Sequence, residues 1–299
     1  MTDIINRNVL FKQKEPMLLP AKNPDDNTPK EEKKIPQELD CSPKEEKSMS
    51  FSLENKDRNE KVASIFGQSE AELDREFRAY KAAKIFRKFD YDLTNESDPE
   101  ILSSKVEEAI KYGFGNIIVT PKQVKFVKQK LKGKKIGVFA AVCYPLGEES
   151  YGVKKYASKM AFSEGADGIY LPIGVYDVLK GRLEGIRREF AKIVRQHKRK
   201  KVFVVMETSK FDISSCEKVL KTFSKIKIAG IVSGTGGFKE ERLSSVNELH
   251  SLSGGKRSII ACSTSEKSRE VINLFSVADR IFLKNAPKIA VDLKTNLEY

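Results

Sequence analysis

Eight short apolar runs, each followed by a segment of helical periodicity, set the terms on which this 299-residue chain can fold. The candidate strands are residues 86–93, 116–120, 135–142, 168–172, 201–207, 228–233, 257–262 and 279–284. The runs IIV, IGVFAAV, VFVVM and IAGIV are apolar without alternation, as expected of parallel strands covered on both faces. Between them, apolar residues recur at helical spacing. One stripe is Leu102, Val106, Ala109 and Ile110; another is Val153, Tyr156, Ala157, Met160 and Ala161. Ile186, Phe190, Ile193 and Val194 form a third, and Cys216, Val219, Leu220 and Phe223 a fourth. Such stripes pack helices onto a sheet. Eight strand–helix units in sequence predict an α/β fold, a closed (β/α)8 TIM barrel over residues 67–299. The unit count disfavours an open doubly wound sheet, as does the lack of GxGxxG after the first strand.

The first 66 residues follow another rule. The stretch KNPDDNTPKEEKKIPQELDCSPKEEK is rich in charge and proline and poor in apolar residues. It buries too little to offset the entropy of ordering, so residues 1–66 are expected to form a disordered tail. The tail holds 12 basic and 13 acidic residues, which leaves 43 basic and 29 acidic for the remainder. The positive charge therefore belongs to the barrel and favours an anionic ligand. Two apolar islands, Val9-Leu10-Phe11 and Met17-Leu18-Leu19, interrupt the tail, which is a candidate region for a protein partner. The barrel is expected to begin near Ser69, where Ser69-Glu70-Ala71-Glu72 matches a capping box and Leu73, Phe77 and Tyr80 follow at helical spacing.

No apolar run approaches the roughly 18 residues of a membrane span, and MTDIINRNVL does not read as a signal peptide. The four cysteines, Cys41, Cys143, Cys216 and Cys262, are scattered, with two histidines, His197 and His250, to join them. Neither a metal site nor a disulfide framework is expected. No cofactor is expected either, and the setting anticipated is reduced and cytoplasmic.

A TIM barrel works at the C-terminal ends of its strands. The strongest local signal there is the loop Ser233-Gly234-Thr235-Gly236-Gly237, whose backbone N–H groups can either cradle an anion or simply make a tight turn. The fragments FDYDLTNESDPE, IIVTP, FAAVCYPLGE, EGADGIYLPIG, VFVVMET, IAGIVSGTGGF and SVADRIFLKNA stand in order along the chain. Together they resemble the deoxyribose-phosphate aldolases from about Phe89 to Ala286. The resemblance implies a Schiff-base mechanism. A lysine ending strand six attacks a carbonyl, a second lysine on strand seven lowers its pKa, and an aspartate on strand four shuttles protons. These roles fall here on Ser233, Ile260 and Tyr170. None can perform them: serine forms no imine, and isoleucine carries no charge. The family's phosphate-binding turns fall on Ser263-Thr264 and on Lys284-Asn285-Ala286.

The resemblance therefore implies a non-catalytic barrel. It would bind a small phosphorylated ligand through Ser233, Gly234, Gly236, Gly237, Ser263, Thr264 and Lys284. An active lyase would need a relocated amine, for which Lys284 and Lys210 are the candidates, with Glu207 as acid–base partner. A third possibility is polyanion or nucleic-acid binding through Gln196-His197-Lys198-Arg199-Lys200-Lys201. That run also suits the C-terminal end of a helix.

Overall fold

The computed structural model describes residues 70–238 and 243–297, all within one compact unit. Eight parallel strands close in sequence order: β1 (Phe89–Asp92), β2 (Asn116–Val119), β3 (Gly137–Ala141), β4 (Gly168–Pro172), β5 (Lys201–Val205), β6 (Gly230–Val232), β7 (Ser258–Ser263) and β8 (Arg280–Leu283). β8 pairs with β1 in the register Asp90↔Phe282 and Tyr91↔Leu283, so the sheet has no open edge. The chain is a (β/α)8 TIM barrel. Most strands are shorter than their apolar runs. Phe86 ends a helix rather than opening β1, and Glu207, Ser233 and Lys284 lie just past their strands. Ser69, both apolar islands and Cys41 lie outside the described residues.

Alternate strand residues face opposite ways. The inward set, which includes Ile118, Phe139, Tyr170, Phe203, Val205, Ile260 and Phe282, fills the lumen as its own apolar cluster. The outward set, including Ile117, Val138, Ile169, Val204 and Ile281, meets the helices. Gly168 makes room for this filling, since a Cβ there would stand 2.4 Å from the Phe139 ring. Toward the N-terminal ends of the strands, the buried Asp90 carboxylate accepts from Asn116 Nδ2 at 2.7 Å, Tyr170 Oη at 2.5 Å and Arg280 Nε at 2.8 Å. A carboxylate without water needs that many donors, and these tie four strands together.

The surrounding helices are α1 (Glu70–Phe86), α2 (Pro99–Tyr112), α3 (Val124–Lys130), α4 (Tyr151–Ser163), α5 (Val175–Leu179), α6 (Leu183–Gln196), α7 (Ile213–Thr222), α8 (Leu243–Ser253), α9 (Ser268–Leu274) and α10 (Ala286–Leu297). α2 shows how local sequence sets the bounds. Asp98 accepts from the N–H groups of Glu100 and Ile101, Pro99 opens the first turn, and Gly113 closes the helix at φ +71°. The expected stripes of α2, α6 and α7 face the barrel.

The α4 stripe is corrected by the structure. Val153 and Tyr156 are 51% and 70% exposed; Ala161 is buried as expected, Ala157 and Met160 are half-buried, and Lys154 and Ser158 are buried in place of the other two. Lys154 can be buried because its ammonium meets Glu189 Oε1 at 2.7 Å, and Ser158 Oγ donates to Lys154 O at 2.7 Å. On α1, Tyr80 is likewise exposed, with Ala82 and Phe86 buried. No described helix is long and apolar enough to cross a membrane.

Candidate functional site

The C-terminal strand ends enclose a cavity of about 240 Å³, lined by residues of β1, β2, β3, β6 and β8 or the loops that follow them. Its wall includes Thr94, Asn95, Thr120, Tyr144, Pro145, Thr235, Gly237 and Lys284. Parity places the lysine: Arg280, Phe282 and Lys284 share the inward side of β8. Among the described residues, Lys284 is the one basic side chain lining this cavity.

The loop after β6 closes over the lysine stem. Gly236 has φ +66°, and a Cβ there would stand 3.7 Å from Lys284 Cε and 3.3 Å from Cys262 Sγ. Its carbonyl accepts from Lys284 Nζ at 3.1 Å. The loop is anchored from below by the buried Glu207. Glu207 Oε2 accepts from Thr235 N at 3.0 Å and Thr235 Oγ1 at 2.8 Å, and Oε1 accepts from Ser209 Oγ at 2.7 Å. Gly237 N donates to Thr235 Oγ1 at 3.3 Å. Two of the loop's N–H groups are therefore directed at protein acceptors.

Two buried polar atoms beside the cavity have no partner among the described residues. Asp92 Oδ1 accepts from Thr94 N at 2.9 Å, while Oδ2 is unpaired. Burial holds the Asp92 carboxyl above the usual carboxylate range, against the opposing pull of the Thr94 hydrogen bonds and the Lys284 charge. The Tyr144 hydroxyl is also unpaired. Burial pushes its pKa well up, and Cys262, Asp92 and Glu207 add to the shift. An unpaired buried polar atom is costly and often marks a place where a ligand or water completes the bonding.

The three positions that the resemblance links to imine chemistry are built into the wall. Ser233 is fully buried, and its Oγ accepts from Cys262 N at 2.9 Å. Ile260 belongs to the inward apolar cluster. Tyr170 is buried and donates to Asp90. Of the anticipated phosphate contacts, Gly237 and Lys284 line the cavity, and Gly236 lies against the Lys284 stem. Thr264 Cγ2 is 3.7 Å from where a Gly236 Cβ would be. Gly234 and Ser263 are buried, and Ser263 Oγ accepts from Ser265 N at 3.2 Å. Lys210 is exposed, with its ammonium 4.6 Å from the Phe238 ring centroid, and does not line the cavity.

The strand-end positions of a TIM barrel include Asp92, Tyr144, Thr94, Asn95 and Thr120, but sequence reasoning gave them no role. One signal was available: Asp90 and Asp92 are two carboxylates on the same parity of an otherwise apolar strand. Tyr144 gave none, because it reaches the mouth through a turn in which Cys143 has φ +55°. Among the described residues, no group of three or more His, Cys, Asp or Glu is placed to hold a metal.

No protein-family profile matches the chain. A deoxyribose-phosphate aldolase of Clostridium botulinum (strain Okra / Type B1) is 36% identical over 149 residues, 48% of this chain and 69% of the relative. A deoxyribose-phosphate aldolase of Mycoplasma mobile is 26% identical over 191 residues, 64% of this chain and 88% of the relative. The tetrameric deoxyribose phosphate aldolase of Aeropyrum pernix superposes with a TM-score of 0.67 at 18% identity, covering 75% of this chain and 98% of that one.

Proposed function

The chain belongs to the deoxyribose-phosphate aldolase family, and from that premise we propose a binding rather than a lytic barrel, whose mouth takes a small phosphorylated ligand without forming an imine. One observation carries the reading. The position that the resemblance gives to the Schiff-base lysine is Ser233, a buried residue whose hydroxyl is held by the Cys262 N–H. A carbonyl can be captured only by an unprotonated amine, and an ordinary lysine near pKa 10.4 needs a charged neighbour or desolvation to become one. The residue given to the activating lysine, Ile260, supplies neither an amine nor a charge.

What the mouth retains suits recognition. Lys284 provides a cation, Thr94, Thr120 and Asn95 provide polar contacts, and Tyr144 and Asp92 hold unpaired polar atoms beside them. The phosphate would meet Lys284 and the backbone of the β6 loop, with Ser263 and Thr264 behind it.

A second reading rests on the same lysine. Because Lys284 lines the cavity, it is the amine an active lyase would use, with Asp92 or Glu207 moving the proton. One experiment separates the two. Deoxyribose 5-phosphate is offered to the full chain in a calorimeter, in a retro-aldol assay, and with borohydride followed by peptide mapping. Binding without turnover or a reduced adduct is expected. Lys284→Glu should weaken binding at least tenfold, about what a charge-assisted hydrogen bond contributes. Turnover together with an adduct on Lys284 would overturn the binding reading and establish the second.

A further inference from the structure

A second cavity opens at the opposite end of the barrel, and its chemistry differs from that of the mouth. It has a volume of about 570 Å³ and lies between the C-terminal part of α6, the start of β5 and the segment that leads into β6. The chain from α6 to β5 contributes Arg195, Lys198, Arg199, Lys200 and Lys201. The segment before β6 contributes Lys225 and Lys227. Among the described residues, no acidic one lines it, and its base is apolar, formed by Val194, Ile226 and Ile228 among others.

A helix C-terminus attracts cations, which accounts for Arg195 in the last turn of α6. It does not account for Lys225 and Lys227, which come from a different connection. Nor are these charges spent elsewhere. Among the described residues, Arg195, Lys198, Arg199, Lys201, Lys225 and Lys227 appear in no ion pair. Only Lys200 is tied down, donating to Ala166 O at 2.8 Å. The segment that carries Lys225 and Lys227 is itself pinned. Arg257 donates to Phe223 O at 2.5 Å and to Ile226 O at 3.4 Å. The fold thus holds two cationic segments around one concavity and supplies no anion between them.

We propose that this cavity is a binding site for a compact polyphosphate: a small molecule bearing several linked or clustered phosphate groups. Several unpaired cations match several phosphate charges. The concavity falls in the size range of small-molecule sites. A single nucleic-acid strand would call for aromatic platforms on which bases stack, and among the described residues no aromatic side chain lines the cavity. Because the cations are exposed, binding must weaken as salt rises.

The test is isothermal titration of the full-length chain with tripolyphosphate, and with orthophosphate for comparison. Tripolyphosphate should bind more tightly than orthophosphate, with affinity falling as salt is added. Lys225→Glu with Lys227→Glu should lower affinity at least tenfold. Lys155→Glu with Lys159→Glu on α4, the same change in net charge elsewhere, should change it less than twofold, as should Lys284→Gln. Circular dichroism checks that each variant folds, and Lys198→Gln with Arg199→Gln provides an independent lesion of the same cavity. Absence of tripolyphosphate binding would overturn the proposal. So would equal losses in the α4 pair, or a loss confined to Lys284→Gln. Tighter binding of an RNA oligonucleotide or of anionic vesicles, abolished by the same lysine pair, would overturn the assignment to a compact ligand.

Discussion

Ser233 takes part in holding β7 beside β6: its Oγ receives the Cys262 N–H just where β6 has ended. Replacing it with alanine leaves a buried donor unpaired. Ser233→Ala should therefore lower stability by about 1–3 kcal/mol, read as a shift of the urea midpoint with an unchanged slope. An unshifted midpoint would show that the serine contributes nothing to the wall. Asp92 makes the opposite prediction. Its folded pKa is raised above the ordinary 3.8, mainly by burial, so the folded chain holds that proton more tightly than the unfolded chain. The resulting penalty is complete above the folded pKa and fades as pH falls toward 3.8. Asp92→Asn keeps an oxygen for Thr94 N and removes the charge. The variant should be more stable than the parent at pH 7, with the gap closing toward pH 4; a gap that widens on acidification would contradict the assignment. Neither role was legible in the linear sequence. Ser233 is readable as a missing amine, but its bond to β7 depends on strands that meet only in the barrel.

At the scale of elements, the strands were legible because parallel strands covered on both faces must be apolar throughout, and β4 matches its expected span to the residue. The helices were legible where apolar periodicity and burial agree. They were not legible on α4, where the Lys154–Glu189 ion pair turns a lysine inward and leaves Tyr156 in solvent. No reading of one helix reveals that pairing, since Glu189 lies on α6. The β6 loop was recognised as glycine-rich, and its geometry gives that composition a specific purpose. Gly236 adopts φ +66° and packs beside Cys262 Sγ. Gly236→Ala should cost about 1–2 kcal/mol from the left-handed backbone, seen as a lower Tm. It should also weaken ligand binding at the mouth, because the carbonyl that meets Lys284 moves with the loop. Unchanged Tm and affinity together would mean that the loop does not need this conformation.

For the molecule as a whole, the contrast between residues 1–66 and the remainder predicts where a protease enters. Brief trypsin digestion of the native chain should cut first within the tail, at some of its 12 basic residues, and leave a fragment beginning near α1; a first cut inside a barrel strand would contradict that division. The cavity at the mouth was the least legible feature, because it belongs to closure rather than to any segment. Asp92 ends β1, and Lys284 follows β8 on the other side of the seam. Separated by most of the barrel's length in sequence, they stand on the two strands that pair at the seam, near enough for the Lys284 charge to act on the Asp92 carboxyl. A growing polypeptide emerging from the ribosome cannot bring that couple together until its final strand has been made. A molecule gripping both residues would act as a clasp across the join, rewarding only finished copies and raising the barrel's resistance to unfolding in proportion to its own concentration.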